Sequence, residues 1–448
     1  MINRVLLPAL IVALCAAAKS FSAGLTNVFN FTEETKIHGG FVEINGVIYA
    51  TAEKGGENNL GYLGKFDPAA GTLTPLVVFT NEVKIKGGFF PHKGELLFLA
   101  EKGAPSNQLF GWLGKFNPTN NQMILLHEFI SDLKAKSGFT RIGDDLWFST
   151  EKGGNENLGS IQKWPLAGGQ PVLVASLNTA LGLKVEDLDF DPFTQTLYYG
   201  AREGGDLTQA GGKGAGSLGK VDVPTGSITH LLNFHNVNHG SKIRSLTWRA
   251  GKLWFALEEG ADMTLFGGKG GGSLMCYDPA NGTVTRVHIF DGANTGVKPR
   301  SFGLAQGEFY FCTEAGGANS YGAFGVLRNG TNVVKLSDLT AELGSKPDFY
   351  LSSIGNRIYF SAELGGSGFL GSILAYELDV PPRLAIGVGL NGNKRLTWPT
   401  SATGYVLISS PSLQGPWETV DSSLRIENEQ HWVEVESVLA TEYFRLRK

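Results

Sequence analysis

Beyond residue 24 the chain is written in short runs in which apolar and polar positions alternate. Each run is closed by a turn signal such as Ile44-Asn45-Gly46, His92-Lys93-Gly94 or Ala70-Gly71. Period-two alternation between glycine-bearing turns predicts β-strands joined as hairpins. One phrase recurs along these runs: an apolar–aromatic pair, two or three residues, then Glu-x-Gly. It reads IYATAEKG, LLFLAEKG, LWFSTEKG, LYYGAREGG, LWFALEEG, FYFCTEAG and IYFSAELG. Its glutamates are Glu53, Glu101, Glu151, Glu203, Glu258, Glu314 and Glu363, at spacings of 48, 50, 52, 55, 56 and 49 residues. A lysine stands upstream of each: Lys36, Lys84, Lys134, Lys184, Lys242, Lys298 and Lys346.

Within the first unit the pattern gives a strand after Lys36, the aromatic strand, a strand from Leu63 to Asp67 and a strand from Leu73 to Phe79. Four strands per unit, repeated seven times, predict an all-β chain folded as a seven-bladed β-propeller. A ring of sheets must join its ends or leave an open edge. Leu25 to Phe31 resembles the fourth strand of a unit, and the last unit stops after Leu378 without one. The N-terminal strand is therefore expected to complete the seventh blade. The repeat ends at Val380-Pro381-Pro382, and the tail reads as short strands of a small β-sandwich-like module. The expected organisation is a leader over 1–23, the propeller over 24–380 and the C-terminal module over 381–448.

The leader reading rests on Arg4 followed by an apolar run from Val5 to Ala18, with small residues at Ala18 and Ala23 suited to cleavage. Such a run is short for a membrane span and fits a secretory signal peptide, so the mature chain is expected outside the cytoplasm, without a transmembrane segment. Two cysteines then remain, Cys276 and Cys312, too few for a disulfide framework; small buried residues are the expected reading.

Composition sharpens this picture. The 61 glycines in 448 residues are about twice the usual share, as many tight turns require. The 28 Phe, 12 Tyr and 8 Trp exclude wholesale disorder. A net charge of −4 argues against nucleic acid as a partner.

The units, above all residues 48–79 (IYATAEKGGENNLGYLGKFDPAAGTLTPLVVF), resemble the GloVer-type tandem repeats of exported proteins in Verrucomicrobia and related bacteria. The tail, with Trp398-Pro399, Gly415-Pro416-Trp417 and Phe444-Arg445-Leu446, resembles the C-terminal module of many verrucomicrobial secreted proteins. The resemblance implies a secreted bacterial propeller and brings no activity with it.

Regular Lys and Glu positions in every unit are first read as architecture, a set of structural pairs on one face. Function is sought where the repeat varies. Two residues after each lysine stand His38, Lys86, Lys136, Glu186, Arg244, Arg300 and Asp348. Strand alternation puts this position on the lysine's side, so these residues are expected to line a polar, somewhat positive channel mouth suited to an anionic or carbohydrate ligand. Solvated strand ends forming cross-blade pairs, Glu186 with a basic neighbour for example, are the competing reading. The loops after the glutamates vary too: the fourth and fifth units carry long ones with matching Gly-Gly-Lys-Gly segments, at 211–214 and 267–270. Long loops on a rigid scaffold concentrate binding residues, which adds Trp112, Lys213, Phe266 and Lys269 as contacts for a carbohydrate or a protein.

Other motifs are discounted. Gly214 to Gly219 fits GxGxxG but leads into a strand, so no helix receives a phosphate. Asp187, Asp189 and Asp191 imitate a calcium loop without its central glycine. His235 and His239 lie in an Asn- and Gly-rich loop rather than on a helix. No metal, cofactor or catalytic residue is assigned. With no unique catalytic cluster, the leading expectation is a monomeric, exported binding or display protein. The alternatives are a hydrolase or lyase acting on polysaccharide or a lactone through acids at the mouth, and a structural envelope protein.

Overall fold

A computed structural model describes residues 24–135, 137–348 and 350–378, and in the C-terminal region 384–388, 393–399, 405–412, 415–420, 424–427, 430–435 and 442–447. The expected leader, Lys136 and the Pro381-Pro382 segment lie outside the described residues. The chain divides into a unit ending at Leu378 and a unit beginning at Asp379.

The first unit is a succession of antiparallel sheets, one per sequence repeat and numbered here in repeat order. Sheet 1 consists of Ile37–Ile44, Val47–Ala52, Tyr62–Asp67 and Thr72–Val78, in that spatial order. Sheets 2 to 6 repeat this meander, ending on Gln122–Glu128, Val172–Ser176, Ile228–Asn233, Thr283–Ile289 and Asn332–Asp338. Sheet 7 has a broken inner strand, Ser345–Pro347 and Ser352–Ile354, followed by Arg357–Leu364 and Ser372–Glu377. Its outer strand is Leu25–Asn30, paired from Leu25 opposite Tyr376 to Asn30 opposite Ser372.

Burial explains why the alternation is clean in some strands and blurred in others. The second strand of each sheet, such as Val47–Ala52 or Glu95–Ala100, is buried on both faces because neighbouring sheets cover both sides. The outer strands keep exposed positions, and a register shift within their ladders interrupts the alternation there. Apolar clusters lie between consecutive sheets: Tyr49 with Phe98 and Phe116, Phe129 with Phe148, Trp147 with Tyr199, Phe234 with Phe255, Phe290 with Phe311, and Phe324 with Phe360. A further cluster joins Tyr359 and Ile373 of sheet 7 to Phe41, Ile48 and Phe66 of sheet 1. Cys276 and Cys312 are free and buried.

The inner strands are of two kinds. In sheets 4, 5 and 6 they run nine residues without interruption, Leu183–Asp191, Ser241–Arg249 and Val297–Ala305. In sheets 2 and 3 only Phe89–His92 and Thr140–Ile142 remain, and the preceding residues leave the ladder to meet their neighbours directly. There glycine is required by space. A Cβ on Gly88 (φ +74°) would lie 2.3 Å from the carbonyl oxygen of Gly39, and one on Gly87 would lie 2.2 Å from that of Ser137. Gly39 after His38 and the Gly87-Gly88 pair after Lys86 thus let three sheets touch backbone to backbone.

The second unit carries two small antiparallel sheets. One orders Ala385–Val388, Lys394–Pro399, Gln430–Val435 and Arg425–Glu427; the other orders Glu418–Thr419, Val406–Ser410 and Tyr443–Arg447. Its core is Leu396, Trp398, Leu407 and Val433.

Candidate functional site

The inner strands converge on a cavity of ≈ 520 Å³, walled by residues from sheets 1, 2, 4, 5, 6 and 7. Its cations are Lys36, Lys84, Lys86, Arg202 and Arg244; its carboxylates are Glu53, Glu186 and Asp187. Of the residues singled out two positions after the lysines, His38, Lys86, Glu186 and Arg244 border this cavity. Arg300 and Asp348 are not among its lining residues. Arg300 is held by Glu314 at 2.6 Å, and Asp348 is buried beside His38, 3.1 Å from its Nδ1.

The ion pairs follow a different rule from the one the repeat suggests. Lys298 and Lys184 do reach the glutamates read for their own units, at 3.7 Å from Glu314 and 2.9 Å from Glu203. Three others turn to different acids: Lys36 to Glu363 of sheet 7 at 3.2 Å, Lys84 to Glu82 at 2.6 Å and Lys242 to Glu259 at 2.6 Å. The repeat glutamates are taken instead by the residues two after the lysines. Lys86 lies 2.6 Å from Glu101, Arg244 2.5 Å from Glu258 and His38 3.5 Å from Glu53. In sheets 4, 5 and 6 the ladder shifts register at the residue two after the lysine, between Val185 and Asp187, Ile243 and Ser245, and Pro299 and Ser301. Glu186, Arg244 and Arg300 are thus the extra residues of a bulge, which re-aims their side chains.

Sheet 4 is a correction to the sequence alignment of the units. Leu183 pairs with Glu203 as Ser241 pairs with Glu259, so Glu203 is in register with Glu259 and not with Glu258. The position of the repeat glutamate is occupied by Arg202. Glu186 stands where sheets 5 and 6 carry Arg244 and Arg300, so the pair is kept with its charges exchanged, Arg202 to Glu186 at 3.3 Å. The exchange lets Arg202 also reach Glu258 of sheet 5 at 3.2 Å, while Arg244 lies 3.8 Å from Glu186. Four charged side chains from two sheets thereby form one network on the cavity wall.

Electrostatics in the network are set by burial against pairing. Burial alone would raise the Glu258 pKa, but Arg244, Arg202 and Arg300 hold it below the usual carboxylate range. Burial draws Arg244 below the usual guanidinium range, opposed by Glu258 and Glu186. For Lys86, burial is outweighed by Glu101, with Glu53 and Glu151 behind it, and the ammonium is held above its ordinary value.

Three titratable residues of the cavity, Asp187, Arg202 and Tyr350, were not foreseen. Asp187 stands where sheets 5 and 6 place Ser245 and Ser301, each paired at the same register. Its carboxylate accepts the backbone N–H groups of Leu188 and, across the sheet boundary, Leu246, both at 2.9 Å. Asp189 repeats the device, accepting the N–H of Trp248 at 2.6 Å. Burial, with Asp189 and Glu186 nearby, pushes the Asp187 pKa up to about 7. Tyr350, from the break in the inner strand of sheet 7, also lines the cavity; burial, with Asp187, Glu186 and Asp348 facing it, pushes its hydroxyl up. Arg202 was legible in retrospect. The residue before the aligned glutamate is Ala, Thr or Leu in the other six units. Asp187 was visible too, but as part of a discounted calcium motif.

Trp112 is corrected outright. It opens the strand Trp112–Asn117, is 5% exposed and packs edge-on against Phe98, with no face left for a ligand. Lys213 and Lys269 are exposed and border a second cavity, away from Phe266, whose ring is covered by the Lys298 ammonium at 4.4 Å. No cluster of His, Cys, Asp or Glu among the described residues has the geometry of a metal site, and no helix there is long and apolar enough to cross a membrane.

No family model matches the chain, and no curated protein matches it. Solved structures do. The extracellular domain of BT4673 from B. thetaiotaomicron is similar at 10% identity and a TM-score of 0.54, over 84% of this chain and 45% of that one. A puromycin-hydrolyzing peptidase of Mycobacterium tuberculosis gives 11% and 0.54, over 85% and 61%. The GH74 enzyme of Niastella koreensis gives 14% and 0.52, over 84% and 59%. The chain spans less than two thirds of the length of each. At such identities the likeness defines the fold alone: the first unit is an all-β, propeller-like array of four-stranded sheets.

Proposed function

We propose that residues 24–378 form a closed seven-bladed propeller, exported from a bacterial cell, whose central cavity binds a small anionic carbohydrate, one bearing a carboxylate. Support for the ring comes from Leu25–Asn30 pairing on sheet 7 and from the apolar cluster between sheets 7 and 1. The observation that carries the ligand class is the density of charged side chains on the cavity wall: five cations and three carboxylates border it, each cation held by an acid at 2.5–3.2 Å. The remaining N–H groups of those cations can donate to a ligand carboxylate, while Glu53 and Glu186 can accept from sugar hydroxyls. The ≈ 520 Å³ volume is in the range of small-molecule sites.

Calorimetry with glucuronate tests this reading. Binding should weaken at least tenfold in Lys86→Ser and in Arg244→Gln, with the fold checked by circular dichroism. Unchanged affinity in folded variants removes the site. A second reading, acid–base turnover of such a saccharide, is favoured by Asp187, whose pKa of about 7 is that of a group able to both take and give a proton. It is separated from binding alone by product formation that disappears in Asp187→Asn.

A further inference from the structure

We propose that the ligand is a chain rather than a single sugar: an acidic oligosaccharide that runs from the central cavity across Arg202 into a second, lysine-bordered cleft between sheets 4 and 5. The inference rests on the reading of the central cavity given above. The cleft has a volume of ≈ 610 Å³ and is built by the long loops of the fourth and fifth units.

Those loops are copies of one another. In one, Asp206 Oδ1 accepts the N–H and hydroxyl of Thr208 at 2.9 and 2.7 Å; in the other, Asp262 Oδ1 accepts those of Thr264 at 3.0 and 2.6 Å. Each then turns through left-handed residues, Ala210-Gly211-Gly212 and Phe266-Gly267-Gly268. Each is tied back through the carbonyl of its lysine, Lys213 accepting from Gly204 at 2.9 Å and Lys269 from Gly260 at 2.7 Å. Asn236 links the pair, its N–H donating to Gln209 Oε1 and its amide to Met263 Sδ. The backbone of both lysines is thus fixed, while both ammonium groups remain exposed.

The charge balance of the cleft points to an anion. Lys184 is neutralised by Glu203 at 2.9 Å and Lys242 by Glu259 at 2.6 Å. Glu151, the third carboxylate of the cleft, has a partner of its own, and Lys213 and Lys269 border the same cleft with no carboxylate paired to either among the described residues. Two like charges held on tethered loops repel each other, and an anionic group between them relieves that repulsion.

Arg202 borders both cavities, so the two adjoin at its side chain. A ligand with charge on one unit only would leave the second pair of cations unused. A saccharide carrying an anionic group on successive units, carboxylate or sulfate ester, would engage both, and linking the contacts raises affinity without any change in either. Nucleic acid is a poorer fit, since the cleft offers no exposed aromatic ring for base stacking.

The test is calorimetric titration of the full chain with alginate oligomers of one, two, four and six uronates, and with heparin oligomers of matched length as the sulfated arm. In at least one arm affinity should rise about tenfold or more between one and four units, which two exposed charge contacts can supply. Lys213→Ser combined with Lys269→Ser should abolish that rise and leave the affinity for the single sugar unchanged. Both positions are exposed loop sites, so the variant is expected to fold. Affinity independent of length in both arms, or a length effect that survives the double variant, overturns the proposal while single-sugar binding keeps the central site. Loss of binding by single sugars and chains alike in the unmodified protein removes the underlying reading as well. Equal or tighter binding of oligo-dT or polyphosphate overturns the assignment to carbohydrate.

Discussion

Replacing Glu258 by Gln isolates what the cavity network contributes to stability. Glu258 Oε2 receives Arg244 Nε and Nη2, both at 2.5 Å, and Arg202 Nη2 at 3.2 Å. The side chains of Glu258 and Arg244 are 5% and 6% exposed, so neither charge can recover its hydration when the other is removed. The substitution keeps volume and one acceptor but removes the carboxylate charge closest to Arg244, whose other acidic neighbour, Glu186, lies at 3.8 Å. Breaking a buried pair in this way costs about 3–5 kcal/mol. The matched control is Glu363→Gln, whose partner Lys36 lies at 3.2 Å with side chains 22% and 32% exposed. That pair is worth about 0–1 kcal/mol. Urea unfolding followed by tryptophan fluorescence compares the two at constant m-value. At pH 7 Glu258→Gln should lower the midpoint several times more than Glu363→Gln. Because the Glu258 pKa is depressed in the folded state, its contribution is complete above about pH 4.5 and is lost as pH falls through its lower folded value. The gap between the variants should therefore narrow in acid. Equal midpoints at pH 7 would falsify the claim that desolvation governs this network.

Three further outcomes are expected. Asp187 has a folded pKa raised to about 7, so the folded chain holds a proton that the unfolded chain has released; stability should fall as pH rises from about 4 to 7, by at most ~1.4 kcal/mol per unit from this group. In Asp187→Asn that component of the slope should vanish, and a slope identical to the parent's counts against the shift. Gly88→Ala places a Cβ 2.3 Å from the Gly39 carbonyl oxygen at a φ of +74° and should destabilise the chain by more than ~1 kcal/mol, whereas Gly94→Ala, which meets no atom within 4 Å at a φ of +82°, bears the backbone cost alone. Equal losses in the two would mean the contact between sheets 1 and 2 is looser than it stands. Deleting residues 24–31 should expose the backbone edge of Ser372–Glu377 and produce concentration-dependent association by light scattering, and a monodisperse truncated chain would contradict the role given to Leu25–Asn30.

The array of sheets was legible because strand alternation and turn chemistry recur in every repeat: six repeats each fold into one four-stranded sheet, and the seventh into a sheet whose outer strand is Leu25–Asn30. The site was only partly legible. Position along a repeat locates a residue on a strand, so His38, Lys86, Glu186 and Arg244 could be picked out by their offset from the lysine. What an offset cannot express is a bulge. The extra residue in the ladders of sheets 4, 5 and 6 falls at Glu186, Arg244 and Arg300, and there the position of the repeat glutamate is met by the residue two after the lysine, as Glu258 is by Arg244. Sheet 4 adds a longer connection between its first two strands, and a ruler laid from lysine to glutamate misses by one there, hiding the charge exchange at Arg202. Trp112 failed for a related reason: an aromatic residue at the end of a long loop was already the first residue of the next strand. Tyr350 and Asp187 owe their place to the meeting of distant sheets, which no local pattern encodes.

The outermost strand of the last sheet comes from a segment that precedes the first sheet in sequence. During synthesis Leu25–Asn30 is therefore made well before its ladder partner and has none until Ser372–Glu377 emerges. At about 5–20 residues per second the wait is on the order of 20–70 seconds, during which the segment travels unpaired. Growth in one direction thus cannot finish this sheet by itself. Completion joins two stretches far apart in the polypeptide, and anything that holds the earlier one, a chaperone for example, also sets the moment at which the later one can be sealed.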